Sequence, residues 1–250
     1  MTEPREPGAA ADPIALAEFL GRLAHDLRSP LGVVTEALGS LRADFSAELT
    51  DEQRLLGTLA DRGLGRLGRL ADTLSVAAEL ESGRLALRPS VVDLVEILRA
   101  AAATAGAIER RREVTLTSEL PDRPCLLVAD TDRLSRALEE ILINAIRHAH
   151  RTARVRLELA PAEARVVIED DGRGVSAEQR PTLFRRFVPN SSRAGLGLGL
   201  SIAHDVVVAH GGHLSIAAST LPPGRAGTLG SAFVVSLPIA GTSERVPRPV

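Results

Sequence analysis

The chain has 250 residues, 44% of them hydrophobic and 25% charged, with a formal net charge of −2, which gives no electrostatic case for binding nucleic acid or an anionic membrane. A lone cysteine, Cys125, excludes an intrachain disulfide or a cysteine-rich metal site, and no apolar run reaches the ~20 residues of a membrane span. All 30 basic residues are arginine, so a cationic contact to phosphate must come from a guanidinium.

Residues 1–12 are polar and rich in Pro, Glu and Gly. They read as a disordered N-terminus without a signal-peptide pattern, and the chain reads as cytoplasmic. From residue 13 the pattern is helical. Leu16, Leu20, Leu23, Leu27, Leu31, Val34, Leu38, Leu41 and Phe45 form one stripe whose steps alternate four and three, a heptad seam. The alternation breaks between Leu27 and Leu31, and Pro30 lies inside the break. A proline there removes a helix hydrogen bond, so a bend is expected just after His25.

A second helix is expected from about Asp51 to Glu81, with Leu56, Leu59, Gly63, Leu67, Leu70, Leu74 and Ala77 as its stripe. Gly57, Gly63, Gly65 and Gly68 weaken it, each by ~1 kcal/mol relative to alanine. Two such helices have too little core to stand alone. A second copy would complete a four-helix bundle, so a homodimer is expected.

Ser82-Gly83 ends the hairpin, and a new domain begins after Arg88. There, helical periodicity covers Val92–Arg110, Asp132–His148 and Leu198–His210. Strand-like alternation covers Glu113–Ser118, Cys125–Val128, Ala153–Leu159, Arg165–Glu169, His213–Ala217 and Ser231–Leu237. The expected fold is α+β: a helical hairpin (13–88) forming a dimeric four-helix bundle, then a two-layer α/β sandwich (89–240), then a flexible tail (241–250).

Four short segments carry candidate chemistry. His25 lies ~200° around the helix from Leu23 and so points away from the seam. An exposed imidazole is a nucleophile at neutral pH, and Asp26 beside it can hold the proton on one ring nitrogen. Glu140 and Asn144, four residues apart on one helix, share a face with Arg147 and His148 one turn on. Asn144 offers a carbonyl oxygen suited to Mg²⁺, and Arg147 a guanidinium that could reach a phosphate. Asp170-Asp171-Gly172-Arg173-Gly174 ends a strand, where glycines permit close backbone approach and a carboxylate can accept from an adenine amino group. Gly195, Gly197, Leu198 and Gly199 open a helix, whose N-terminal N–H groups favour an anion. Taken singly, each segment equally fits a solvated histidine, a polar helix face, an Asp-Gly turn or a flexible loop.

Together and in this order, from about residue 13 to 240, the segments resemble the histidine kinases of two-component signalling. Residues 25–31 resemble the H-box, 144–148 the N-box, 170–174 the first glycine box, Leu183-Phe184-Arg185-Arg186-Phe187 the F-box and 195–200 the second glycine box, followed by His210-Gly211-Gly212. The resemblance implies a Bergerat-type ATP-binding domain with ATP and Mg²⁺ as cofactors. His25 would be the phosphoacceptor and Asp26 its orienting base. Asn144 would ligate Mg²⁺, with Arg147 and Arg186 near the triphosphate. Asp170 would read adenine, and residues 188–194 would form the ATP lid. The phosphoryl group would pass to an aspartate of a response regulator receiver domain. Input would come through the N-terminal helix or a separate sensor protein.

The sequence departs from the family pattern at three positions. Glu140 replaces a usual Asn and matches the water-activating Glu of gyrase- and Hsp90-type ATPases, so some futile hydrolysis is expected. Asp171 and Leu196 replace a usual Asn and a small hydroxyl residue. Ser29 stands where Thr or Asn assists dephosphorylation of the partner. Two other outputs fit the same boxes: a catalytically weak docking scaffold, and an ATPase switch driven by lid closure.

Overall fold

The structure is a computed structural model, and it describes residues 13–45, 49–108, 114–186, 188, 197–224 and 227–239. The chain divides into two compact units, 1–86 and 87–250.

The first unit is a hairpin of α1 (Pro13–Phe45) and α2 (Asp51–Glu81). α1 runs unbroken through Pro30. α2 starts where Thr50 caps it: its hydroxyl accepts the Gln53 N–H at 3.2 Å while the Gln53 side chain accepts the Thr50 N–H at 2.8 Å. Cross-hairpin ion pairs link Arg28 to Asp72 at 3.0 Å and Arg42 to Asp61. The expected single seam divides between two faces. Leu20 is buried with Ala17 and Ala24, and Leu27, Leu31 and Leu38 are half-buried, whereas Leu23, Val34, Leu41 and Phe45 stay exposed. On α2, Leu74 is buried with Ala71 and Ala78, while Leu56, Leu59 and Leu67 are exposed. Each helix thus has one apolar edge facing its neighbour and another facing outward.

The second unit carries α3 (Leu94–Ile108), α4 (Thr131–His148) and α5 (Gly199–Ala209) against a five-stranded sheet. Its strands are β2 (Thr115–Glu119), β4 (Thr152–Leu159), β5 (Glu163–Asp170), β6 (His213–Ala218) and β7 (Ser231–Pro238), in the order β2-β4-β5-β7-β6. Only β2 and β4 are parallel; the other neighbours are antiparallel. A separate two-stranded ribbon pairs β1 (Ser90–Asp93) with β3 (Leu126–Ala129).

The ribbon corrects the expected helix start at Val92. Asp93 ends β1, and its carboxylate accepts the Val95 and Cys125 N–H groups, each at 2.9 Å, so the helix begins only at Leu94.

Strand alternation sorts the sheet into two faces. Ala153 and Val155 on β4 and Ala164, Val166 and Ile168 on β5 are fully buried. Asp170 continues that buried row and sits opposite Ala153. The other face is charged. There Glu169, fully buried, pairs with Arg154 at 2.7 Å and accepts the Thr220 N–H at 2.7 Å. Burial alone would raise the pKa of Glu169, but the Thr220 N–H and the Arg154 guanidinium outweigh it and hold the carboxyl below its usual range.

Candidate active site

α4 presents a polar edge beside its apolar one. Leu134, Leu138, Ile141, Leu142 and Ala145 are buried, while Glu140, Asn144, Arg147 and His148 are half-buried along the adjoining face. Asp130 caps the helix by accepting the Arg133 N–H at 3.0 Å and also accepts the Arg88 N–H at 2.8 Å. Its own N–H donates to His210 Nε2 at 2.9 Å, and His210 Nδ1 donates to the Val206 carbonyl at 2.7 Å. A carbonyl only accepts and an amide N–H only donates, so both partners select the neutral imidazole with the proton on Nδ1. His210 thus ties the C-terminal end of α5 to the N-terminus of α4.

Between these helices and the start of β7 lies a cleft that brings together Asn144, His148, Asp170 and Gly174. Val175, Leu183, Leu200 and Phe233 supply its apolar walls, and Arg173, Gln179 and Ser231 add polar groups. Asp170 is 1% exposed. Burial pushes its carboxyl up to about 6, against the hydrogen bonds it accepts from the Gly172 and Ser231 N–H groups, with Asp171 and Glu169 adding to the rise. An acceptor held by two N–H donors in an apolar-walled cleft suits a planar ligand with an amino group. Gly174, at φ 73°, packs so closely on the Leu229 carbonyl that a β-carbon there would lie 2.6 Å from the oxygen.

Asp171, one of the residues that depart from the family pattern, faces elsewhere. Its carboxylate accepts the His150 N–H at 2.7 Å and the Arg151 N–H at 3.0 Å, closing the turn from α4 into β4. Burial alone would raise its pKa, but bonds from Arg151, Thr152 and His150 hold it below the usual range.

Beyond the cleft wall, Phe184 stacks on His204 with ring centroids 5.3 Å apart. Arg186, expected near the triphosphate, donates from Nε and Nη2 to Asp205 Oδ2 at 3.2 and 2.6 Å. Gly197, Leu198 and Gly199 lead into α5, and Leu198 is buried. The Glu140 carboxylate reaches this end of α5: a β-carbon on Gly199 would stand 2.6 Å from Glu140 Oε2. Phe187, Gly195 and all of the expected lid except Val188 lie outside the described residues.

His25 belongs to the other unit. Its side chain is 85% exposed, as is most of Asp26, and its Nδ1 lies 3.4 Å from Asp26 Oδ1. Ser29, one turn on, is exposed as well.

Among the described residues no cluster of three His, Cys, Asp or Glu side chains could hold a metal by itself. Asn144 and Glu140 offer hard oxygens one helical turn apart, which fits a Mg²⁺ ion that completes its shell with waters and phosphate oxygens.

Residues 129–241 match the model of the histidine kinase-, DNA gyrase B- and HSP90-like ATPase family. The alginate biosynthesis sensor protein KinB of Pseudomonas aeruginosa is 30% identical over 228 residues, covering 89% of this chain and 37% of KinB. The chain is similar to the sensor histidine kinases over most of its length. Among solved structures, the mycobacterial sensor histidine kinase MprB aligns at 29% identity and a TM-score of 0.52, over 62% of this chain and all but 2% of that one (98% covered). Full-length ShkA, solved in complex with AMPPNP, aligns at 24% identity and a TM-score of 0.59 over 91% of this chain and 47% of that one, a likeness of fold. The chain spans less than half the length of the curated sensor proteins it matches first. No helix among its described residues is long and apolar enough to cross a membrane.

Arg173, Val175, Gln179, Leu183, Leu200, Ser231 and Phe233 also line the cleft and were not given roles of their own in the sequence, although Arg173, Leu183 and Leu200 fall within its boxes. The first two lie in or beside the glycine box and were legible there. Ser231 and Phe233 come from β7, some 60 residues further on, and carry no local signal.

Proposed function

We propose that this chain is the core of a cytoplasmic ATP-dependent protein-histidine kinase, which phosphorylates His25 and hands the phosphoryl group to an aspartate of a response regulator. The observation that carries the reading is the pairing, in one chain, of an exposed histidine beside a carboxylate and a cleft with a buried carboxylate acceptor at the end of β5.

In this reading Asp170 accepts from the adenine amino group, and Val175, Leu183 and Leu200 cover the ring. Asn144 holds Mg²⁺, and Arg147 and His148 lie along the phosphates. Bound Mg²⁺ would neutralise charge on the triphosphate. Asp26 holds the proton on His25 Nδ1 and leaves Nε2 bare. Nε2 bonds to the γ-phosphorus as the bond to the β–γ bridging oxygen breaks, ADP leaves, and the Nδ1 proton passes to Asp26. Ser29, one turn away, is placed to act on the phosphorylated partner. Incubation with γ-labelled ATP and Mg²⁺ tests the proposal: acid-labile, base-stable label on the protein is expected, and ATP binding without label would favour a docking scaffold.

One observation favours ATP hydrolysis as a side reaction or an output of its own. Glu140 projects to the α5 N-terminus, where a terminal phosphate would be held, and a carboxylate there can take a proton from water. Glu140→Gln is expected to cut ATP hydrolysis by about 10²-fold while leaving nucleotide affinity within about threefold; unchanged hydrolysis in a phosphate-release assay would refute the role.

The outward apolar edges of the hairpin support a homodimer. Burying a leucine stabilises by about 1.5–3 kcal/mol, and a two-fold interface counts each substitution twice. Leu23→Glu combined with Leu41→Glu is therefore expected to give a monomer by light scattering, with helix content kept.

A further inference from the structure

We propose that Gly230, in the connection before β7, is a positioning residue for adenine recognition: its missing side chain lets the chain at 229–231 clamp the 170–174 turn. This inference rests on the reading that Asp170 accepts from the adenine amino group.

Three consecutive residues touch that turn, each in a different way. The Leu229 carbonyl packs on Gly174, where a β-carbon would be 2.6 Å away. Gly230 packs on the Asp170 backbone: a β-carbon on Gly230 would overlap the Asp170 carbonyl oxygen and stand 2.6 Å from its carbon and 2.9 Å from the Gly172 nitrogen. Ser231 donates its N–H to the Asp170 carboxylate, which also takes the Gly172 N–H at 2.8 Å. The three nearest atoms that an added methyl would meet are all backbone, so no rotamer change relieves those contacts. The Gly230 carbonyl is itself held by the Ser219 N–H at 3.0 Å, which leaves the segment little room to retreat. Alanine at 230 must therefore push the strand entry off the turn and draw the Ser231 N–H away from the carboxylate. With one of its two donors gone, a carboxylate this buried holds its proton to higher pH, and a protonated acid no longer offers the same acceptor.

Gly227, in the same connection, is the control. It needs φ 69°, but a β-carbon there would meet nothing within 4 Å. Gly227→Ala strains the loop without touching the turn.

The test is calorimetric titration of the full chain with ADP and with inosine diphosphate, which carries a carbonyl where adenine has its amino group. Wild type and Gly227→Ala are expected to prefer ADP. Gly230→Ala is expected to lose about tenfold of that preference, to bind inosine diphosphate within about twofold of wild type, and to show its ADP-binding midpoint at a higher pH. Equal weakening of both nucleotides, or an unchanged ratio, overturns the proposal by making Gly230 a structural residue only. If Asp170→Asn keeps the wild-type ratio, the adenine reading fails first. If Asp170→Asn loses it and Gly230→Ala does not, the positioning role alone is wrong. Should Gly230→Ala not fold, Ser231→Pro deletes the same N–H at the first residue of a strand, where proline is tolerated. Loss of the ADP preference in that variant supports the clamp, and retention overturns it.

Discussion

His25→Ala is expected to abolish acid-labile phosphorylation from γ-labelled ATP while leaving nucleotide affinity within about twofold, a margin of about 0.4 kcal/mol. The two effects separate because the histidine lies in the unit 1–86 and the cleft around Asp170 in the unit 87–250. Five other histidines are present, at 148, 150, 204, 210 and 213. His210 has both ring nitrogens engaged, with Asp130 and Val206, and His204 is stacked on Phe184 and bonded to Asp205. Among the described residues, His25, at 85% exposure, pairs through Nδ1 with Asp26 at 3.4 Å, and no bond to Nε2 is seen. Asp26→Asn keeps the shape and removes the proton acceptor, so labelling is expected to slow by about 10²-fold without vanishing. Label that persists at full rate in His25→Ala would refute the assignment.

Asp170→Asn is expected to cost nucleotide affinity and to raise stability at neutral pH. The native carboxyl titrates at about 6, against 3.8 for the ordinary group. Its folded-state pKa is raised, so the folded protein binds the proton more tightly than the unfolded chain. The ionised group therefore destabilises the fold above pH 6, by about 3 kcal/mol at 1.36 kcal/mol per pH unit. That cost is relieved as pH falls from about 6 towards 3.8. Asparagine still accepts the Gly172 and Ser231 N–H groups but carries no charge, so it escapes the cost at every pH. Asp130, Glu169 and Asp171 have the opposite sign: their carboxyls lie below the usual range, and the stability they contribute is lost as pH falls through those lowered values. The measurement that isolates Asp170 is the difference in unfolding free energy between wild type and variant across pH 4–8. It should favour the variant by a few kcal/mol above pH 6 and shrink below it. Nucleotide affinity should follow the reverse course, with wild-type binding falling as pH drops through about 6 and the variant weak throughout. A variant that is both less stable and unchanged in binding would refute the view that a buried charge has been kept for ligand recognition.

Local rules carried much of the reading. α2 was legible to its ends from its stripe and from Ser82-Gly83, which breaks the periodicity; the structure adds the capping box of Thr50 and Gln53 at its start. Strand alternation put Asp170 in the row of Ala164, Val166 and Ile168, but burial does not separate the faces at this end of β5, where Val167 and Glu169 are buried as well. His25 is exposed as its offset from the seam suggested, but Leu23, from which the offset was measured, is exposed too, so the buried residues that fix this face are Leu20 and Ala24. The motifs themselves were legible because close backbone approach requires glycine and leaves a visible mark.

What the sequence could not resolve is where one side chain has two plausible neighbours. The α1 stripe read as one seam, but a helix in a hairpin offers apolar residues to two surfaces, and periodicity does not separate Leu20 from Leu23. β1 merged with α3 because Val91, Val92 and Leu94 continue a helical pattern, and the break depends on Asp93 reaching Cys125, which comes 32 residues later. Arg186, expected near a phosphate, pairs with Asp205, and Glu140 meets the start of α5, through the packing of elements apart in the chain. The composition, periodicity and boxes of this sequence determined the kind of molecule, because they report local geometry and residue chemistry. Only the tertiary structure decided which donors hold Asp170 and which glycine makes room for them, because those contacts form when β5 and β7 pair.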